Sequence, residues 1–374
     1  MPARVLVTGG AGFIGSHLVD SLIRQGTSVR VLDAIEPQVH GDSPGNRNPE
    51  AEYMVGTLLD CDLVKRAIED VDGVVHLAAQ VGVGQSMYEI TRYVRDNSLG
   101  TAVLLEALAN KRDSIRALVV ASSMSLYGEG QYACPACEAL EADVHRTAPA
   151  LQAKRWEPVC TRCGCQVRAV PTGESKRLRS DSVYAVTKRD HEELCLVFGR
   201  AYGVRTIALR FFNVYGPRQS LSNPYTGVAA IFCSRLLNRQ PPLVFEDGLQ
   251  SRDFVHVSDV VQAIGLALAA EDVGDVALNV GTGIPTTVLD IAEVLGQKLD
   301  VVCPPRVLQR FRQGDIRHCY ADISLARQVI GYEPRIGLPQ GMESLAAWIC
   351  EALPPAQDWT QRSTRELEAR RLVV

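Results

Sequence analysis

Tyr184 and Lys188 stand one helical turn apart in YAVTK, so a helix through them puts a phenol and an ammonium on one face. A phenol is almost wholly protonated at neutral pH. It serves as a base only where an ammonium and hydrogen-bond donors stabilise the phenolate. Lys188 and the upstream Ser123, in ASSMSLYG (Ala121 to Gly128), are the right types to supply both. The chemistry such a set can do is proton transfer at a hydroxyl.

The amino terminus indicates what that base works beside. RVLVTGGAGFIGSHL reads as a short apolar strand (Val5 to Thr8), a glycine-rich turn and a helix, with Gly9, Gly12 and Gly15 at the junction. Missing side chains there allow a tight turn, close approach of a pyrophosphate to backbone amides, and close packing of helix on strand. A second strand, SVRVLD, ends in Asp33, where a carboxylate accepts hydrogen bonds from an adenosine ribose and repels a ribose phosphate. NAD is expected rather than NADP. A plain turn with Asp33 capping a strand is the bland alternative.

Four of the eleven cysteines form a second constellation. Cys134 and Cys137 make one CxxC, and Cys160 and Cys163, in WEPVCTRCGC, make another after 22 intervening residues. Each pair places two thiolates on one turn, Gly164 follows the second pair, and the spacing is close to that of zinc ribbons. A short polar segment whose large aromatics are Trp156 and Tyr132 buries little core and needs a staple. One structural zinc on Cys134, Cys137, Cys160 and Cys163 is expected, with Cys165 a spare and His145 a substitute ligand. Free thiols in a surface loop are the alternative. Four protein ligands would leave no open position for catalysis.

The 374 residues exceed one average domain, and 46% hydrophobic with 22% charged residues suits a globular protein with a substantial core. A formal charge of -4 gives no reason to expect nucleic acid or an anionic membrane as partner. No apolar run reaches the length of a membrane span, and a strand begins within MPARVLVTGG, leaving no room for a signal peptide. A cytoplasmic location is expected, where cysteines stay reduced and form no disulfide framework.

Around these residues, strand-like runs alternate with helical patterns. The strands are VRVLD (Val29 to Asp33), DGVVHLAA (Asp72 to Ala79), RALVVASS (Arg116 to Ser123), VRTIALR (Val204 to Arg210) and a stretch near Ala277 to Val280. Long helices are expected over Tyr88 to Asn110 and about Asp181 to Tyr202. This predicts an α/β fold, a Rossmann-like doubly wound parallel sheet with ligands at the carboxyl ends of its strands. The glycine turn, Asp33, the HLAAQVGVGQS loop and Ser123 all lie at such ends. The chain divides into an NAD-binding part over 1–213 and 252–283, interrupted by a cysteine-rich, zinc-ribbon-like insertion at 130–178, and a smaller C-terminal substrate-binding part of short helices and loops over 214–251 and 284–353. A charged tail follows over 354–374, a peripheral helix or disorder.

TGGAGFIG, HLAA, Ser123 with YxxxK, RFFNVYGPRQ, RDFVHVSDV and RQGDIRHCYAD stand in the order seen in the extended short-chain dehydrogenase/reductase family of nucleotide-sugar epimerases and dehydratases, which the chain resembles over nearly its whole length. The resemblance implies that Tyr184 is the catalytic base, that Lys188 holds the nicotinamide ribose and lowers the tyrosine pKa, and that Ser123 bonds the reacting sugar hydroxyl. It implies further NAD contacts from Phe13, Ile14, Leu58, Leu77, Ala78, Ala79 and Asn97, the asparagine of NSLGT, beside the glycines and Asp33. For the substrate it implies Gln85, Ser86, Asn213, Arg252, Arg312 and Asp315 around a nucleotide-diphosphate sugar, dTDP- or UDP-linked, and guanidinium forks do suit phosphate oxygens. Ion pairs of Arg252 with Asp253 and of Arg312 with Asp315 are the alternative. His76, in an apolar strand end, reads as a satisfied core histidine. A homodimer pairing the two long helices with their symmetry mates is also implied.

Two departures from the family pattern narrow the chemistry. Dehydratases place an acidic pair directly after the catalytic hydroxyl residue, where this chain has Met124 and Ser125, neither an acid nor a base at neutral pH. Elimination of water is therefore not expected. Thr57 and Leu58 stand where relatives commonly use an aspartate to hold adenine. What is left is oxidation and re-reduction at one carbon, the chemistry of a nucleotide-sugar 4-epimerase with a bound 4-keto sugar. The loops Val31 to Gly41, Ala78 to Ile90 and Ser122 to Pro135 look most like those of bacterial dTDP-L-rhamnose 4-epimerases, which make dTDP-6-deoxy-L-talose. A UDP-hexose or UDP-uronate 4-epimerase, a net NAD(H)-dependent reductase or dehydrogenase, and a non-catalytic NAD sensor are the alternatives; the intact Ser123, Tyr184 and Lys188 set argues against the last.

Overall fold

The structure, a computed structural model, describes residues 1–41, 46–139, 144–220, 227–312, 314–351, 360–370 and 372–373; of His145 and residues 360–364 it describes the backbone alone. Seven parallel strands form the central sheet: β1 (Arg4–Thr8), β2 (Ser28–Asp33), β3 (Glu52–Val55), β4 (Gly73–His76), β5 (Ala117–Ser123), β6 (Thr206–Phe211) and β7 (Val276–Val280). Their spatial order is β3-β2-β1-β4-β5-β6-β7. The winding direction reverses between β1 and β4, the place where a doubly wound sheet opens a crevice.

Both faces of the sheet are covered, which is why its strands read as nearly unbroken apolar runs. Val5, Val7, Val31, Val119 and Leu209 pack on one side with helix α1 (Phe13–Arg24) and the helix Val257–Ala269. Leu6, Leu32, Val74, Leu118 and Val120 pack on the other with Leu104 and Leu108 of helix α2 (90–109) and with Cys195 and Phe198 of helix α3 (Val183–Tyr202). Helix α2 runs through Ile90–Tyr93, Val94–Leu99 and Gly100–Ala109, the middle segment wound as a π-turn. Ser182 caps α3 by accepting from the Ala185 amide, and Gly203 ends it in the left-handed region, φ 70°.

Two sequence expectations shift. DGVVHLAA forms a strand only to His76, because the Ala78 amide leaves the ladder for Thr8 Oγ1 (3.3 Å). The later part of the chain carries full helices, Val228–Leu237, Val288–Lys298 and Leu338–Glu351, rather than short ones. They enclose a separate core of Tyr215, Phe232, Leu236, Ile291, Leu295, Met342 and Ile349 beside a small sheet of Asn213–Tyr215, Ser251–His256, Pro285–Thr287 and His318–Cys319. The cysteine-rich segment adds two short antiparallel pairs, Gln131–Ala133 with Arg168–Val170 and Val144–His145 with Val159–Cys160. Among the described residues no helix is long and apolar enough to cross a membrane.

Candidate active site

The turn after β1 admits only glycine at two points. Gly9 has φ +71°, and a Cβ there would lie 2.8 Å from the Ala78 nitrogen; one on Gly15 would lie 2.2 Å from the Gly9 carbonyl oxygen. Gly12 is the N-cap of α1 and brings no side-chain acceptor to its first-turn amides, which suits an anion at this helix end. Asp33 ends β2, and the amides of Ala11 (2.9 Å) and Ile35 (2.8 Å) orient its carboxylate. The lone pairs left over can take ribose hydroxyls. Phe13 and Ile14 sit half-buried in the first turn of α1, Leu77, Ala78 and Ala79 follow β4, and Leu58 packs against Gly100 of α2. These residues fit a dinucleotide.

Ser123 closes β5 and Tyr184 lies in the first turn of α3, with the serine hydroxyl facing the phenol. Burial pushes the Tyr184 phenol up to about 12, while the Ser123 hydrogen bond pulls the other way. Ser123 Oγ also accepts from the Ser125 amide (3.2 Å) and hydroxyl (2.9 Å). One turn on, Lys188 is buried, donates to the Ala121 carbonyl (2.8 Å), and is pushed down to about 7 by that burial. Asn97 lies in the π-turn of α2, where it accepts from the Gln80 amide (2.7 Å) and donates to Thr187 Oγ1 (3.0 Å) on α3. A π-turn at such a junction re-aims one side chain without ending the helix. His76 is a core histidine, held between Thr8 (2.7 Å) and Thr101 (3.0 Å) and kept neutral by burial, down to about 3.

The residues expected around a sugar nucleotide have varied surroundings. Ser86 Oγ accepts from the Tyr184 amide (3.0 Å), which ties the loop after β4 to the start of α3. Gln85 is buried with its amide bonded to Gln38, Glu89 and Tyr93. Asn213 Oδ1 is buried without a hydrogen-bond partner among the described residues, an orphan that a ligand can satisfy. Arg252 donates to the carbonyls of Ser251 (2.9 Å), Arg317 (3.0 Å) and Ile316. Arg312 lies over the Phe245 ring, 4.0 Å from its centroid. Among the described residues neither arginine forms an ion pair with its neighbouring aspartate: Asp253 is buried on Thr282, Gly283 and Ala321, and the Asp315 amide donates to the Arg312 carbonyl (3.3 Å). Gly314, in that turn, abuts the Asp181 carbonyl just before α3; a Cβ on it would lie 3.3 Å away.

The ligand atoms of Cys134, Cys137, Cys160 and Cys163 lie within 4.8 Å of one another. Cys134 and Cys163 sulfurs are 3.5 Å apart and Cys137 and Cys160 sulfurs 4.0 Å, around the ~3.8 Å edge of a tetrahedron of thiolates at Zn–S distance. Gly164, just past the second pair, takes φ +72°. Cys165 is exposed and not among the four, and the His145 side chain lies outside the described residues.

Several charged groups escaped the sequence reading. Arg210 and Glu192 form a buried pair (2.9 and 2.5 Å) that also engages Tyr127 and Ser122, joining β5, β6 and α3 behind Ser123. Arg317 is wholly buried among Glu157, Glu246 and Asp247. An arginine inside TIALRF, a strand-like run, was the available signal for the first; nothing in RQGDIRHCYAD separates the buried Arg317 from the exposed Arg312.

Comparison with known proteins agrees with this geometry. A dTDP-L-rhamnose 4-epimerase of Burkholderia thailandensis is 33% identical over 357 residues, covering 94% of this chain and 96% of that one. Of solved structures, a UDP-glucose 4-epimerase from Thermotoga maritima, with UDP-glucose, superposes with a TM-score of 0.78 at 30% identity over 94% of this chain and all of the other. A UDP-glucuronic acid 4-epimerase from Bacillus cereus, in complex with UDP-glucuronic acid and NAD, gives 0.78 at 26% identity over the same shares. The model of the NAD dependent epimerase/dehydratase family matches residues 5–150 and 164–281, breaking only inside the cysteine-rich segment. With the glycine turn, Asp33 and Ser123 at the carboxyl ends of neighbouring sheet strands and Tyr184 and Lys188 on the helix packed beside β5, the chain belongs to the NAD dependent epimerase/dehydratase family.

Proposed function

We propose that the chain is a nucleotide-sugar 4-epimerase working through a transient 4-keto sugar, with dTDP-L-rhamnose, converted to dTDP-6-deoxy-L-talose, as its substrate. The observation that carries this reading is the make-up of the catalytic set: the Ser123 hydroxyl faces the Tyr184 phenol, and the positions after Ser123 are Met124 and Ser125, both buried. Among the described residues no carboxylate bonds Ser123 or Tyr184, so one acid/base serves the site and elimination of water lacks its second. NAD, when bound, supplies the hydride acceptor and donor. Tyr184 Oη takes the proton of the C4 hydroxyl and returns it after the keto sugar has turned over. Ser123 Oγ holds that hydroxyl, and Lys188 stabilises the phenolate by its charge. Asn213, Arg252 and Arg312 are assigned to the diphosphate, with Gln85, Ser86 and Asp315 at the sugar end.

The similarity to a dTDP-L-rhamnose 4-epimerase supports the deoxysugar; solved relatives holding UDP-glucose and UDP-glucuronic acid support a UDP-hexose or UDP-uronate as the second reading. Incubation with a panel of dTDP- and UDP-sugars, with C4 configuration read from proton coupling constants, decides between them. A net change in NADH absorbance matching product formed would instead identify a reductase or dehydrogenase.

In this reading 1–213 and 252–283 bind NAD, while 214–251 and 284–353 bind the sugar nucleotide. The four clustered cysteines hold one structural zinc. Protein purified without chelator should carry about one zinc per chain, and Cys160→Ser with Cys163→Ser should lose it; a metal-free, fully active wild type overturns the assignment. The molecule is a homodimer through α2 and α3, supported by the exposed apolar side chains of Ile90, Val94 and Leu99 on one helix and Val186, Leu194 and Val197 on the other.

A further inference from the structure

The chain between the two CxxC pairs does not stay with the cysteines. It reaches back to Phe311–His318, the segment that carries Arg312. Leu151 and Trp156 bury Phe311, the two aromatic rings meeting edge-on at 6.4 Å. Arg146 donates to the Asp315 carbonyl (3.0 Å) and pairs with Glu129 (3.3 Å) and with Glu246. Glu157 accepts from Arg317 Nε (2.8 Å) and the Arg317 terminal nitrogen (2.5 Å), and bonds His318 Nε2 (3.1 Å). The Arg317 carbonyl in turn accepts from the Ser251 amide (3.0 Å) and from the Arg252 guanidinium (3.0 Å). Four residues of one stretch thus grip both sides of Arg312, and the last of them reaches Arg252 through a single residue.

We infer that the cysteine-stapled insertion is part of the substrate-binding apparatus, with Glu157 as the positioning residue that sets where Arg252 and Arg312 present their guanidinium groups to the nucleotide diphosphate. The inference rests on the reading of those two arginines as diphosphate ligands. Charge-assisted hydrogen bonds reward placement steeply, so a segment released on one side loses affinity without losing its arginines. Glu157 is the appropriate probe because its removal does not orphan a buried cation: Arg317 keeps Glu246 (3.0 Å) and Asp247 (2.7 Å). A buried arginine that retains two carboxylates keeps the fold.

Equilibrium binding of dTDP and of UDP to Glu157→Ala should weaken about 10-fold or more for whichever nucleotide the wild type binds, and the sugar-nucleotide KM should rise in step. kcat should stay within about threefold and NAD content should not change. Glu157→Gln, which keeps an acceptor for Arg317, should recover most of the affinity. Cys160→Ser with Cys163→Ser should show the same KM-selective loss, and adding Glu157→Ala to it should do little more, since both act on one segment. Normal dTDP and UDP affinity in a folded Glu157→Ala protein overturns the proposal, as does an equal fall in kcat, nucleotide affinity and NAD content. Failure of the zinc assignment shows up separately, as a metal-free wild type. Failure of the nucleotide-sugar reading shows as a wild type that binds neither dTDP nor UDP, and that result takes this proposal with it.

Discussion

Tyr184 and Lys188 are each held by burial away from the charge state that the proposed proton transfer requires. Burial pushes the phenol up to about 12 and the ammonium down to about 7, so the charge on each favours ionisation of the other. Tyr184→Phe removes only the ionisable hydroxyl. Turnover should fall on the order of 1,000-fold with NAD and nucleotide-sugar binding kept, and activity within about tenfold of wild type would remove Tyr184 from the role of base. Lys188 also has a stability consequence. Its folded pKa lies below the ordinary lysine value of 10.5, so the unfolded chain binds the extra proton: stability from this group is full above pH 10.5, is lost as pH falls towards about 7, and stays lost below. In nucleotide-stripped protein Lys188→Met should therefore be more stable than wild type at pH 6.5, on the order of 2 kcal/mol after loss of the Ala121 hydrogen bond, while being inactive. The gain should shrink by pH 9.5. Denaturant titrations at both pH values check this; a variant less stable than wild type at pH 6.5 contradicts it.

Elements were legible wherever burial on both faces forces a run of one residue type. Val5 to Thr8, Val29 to Asp33 and Ala117 to Ser123 announce strands because a covered parallel strand has no polar side, whereas EYMV, at the sheet edge as β3, offers only Tyr53 and Met54, both half-buried, and passes for loop. The π-turn of α2 was invisible, since VRDNSL is compatible with an ordinary helix and only the contact of Asn97 with Gln80 and Thr187 reveals the extra residue. Phe198 proves to be in the core, while Leu194 and Val197 are exposed at 39% and 54%. Those two continue the line of Val186 along α3, and Ser98 on α2 bonds Asp190 on α3 (2.5 Å), so the two helices present their apolar side chains together. Val197→Glu costs little on a free surface but buries an unpaired carboxylate in a dimer. Sedimentation at micromolar concentration should show a dimer for wild type and a 40.8 kDa species for the variant, with Tm nearly unchanged; wild type running as the monomer rejects the arrangement.

At the scale of the whole molecule, what the sequence concealed is how distant segments close around Arg312. The glycine turn and YxxxK are local patterns. The environment of Arg312 depends on residues scattered between 88 and 373, which no spacing rule connects. The tail is the clearest case. Leu367 and Val373 bury themselves on Phe245, the ring under Arg312, and Val373 bridges the Arg312 backbone. Glu366 accepts from the Tyr88 hydroxyl (3.0 Å), Arg370 lies 4.0 Å from the centroid of that ring, and Glu368 pairs with Arg310 (2.7 Å). Tyr88 belongs to the loop after β4 and Arg310 to the approach to Arg312, so the helix Thr360–Ala369 straps one side of the crevice to the other. Its buried anchors are two aliphatic side chains, Leu367 and Val373, worth about 1.5 to 3 kcal/mol each. A chain ending at Glu351 should thus lose only a few degrees of Tm while its nucleotide-sugar KM rises at least about fivefold with kcat little changed, because the cover over Phe245 and Tyr88 is gone while Ser123, Tyr184 and Lys188 are untouched. An unaltered KM in the truncated protein would show that the strap lies outside the path of the substrate.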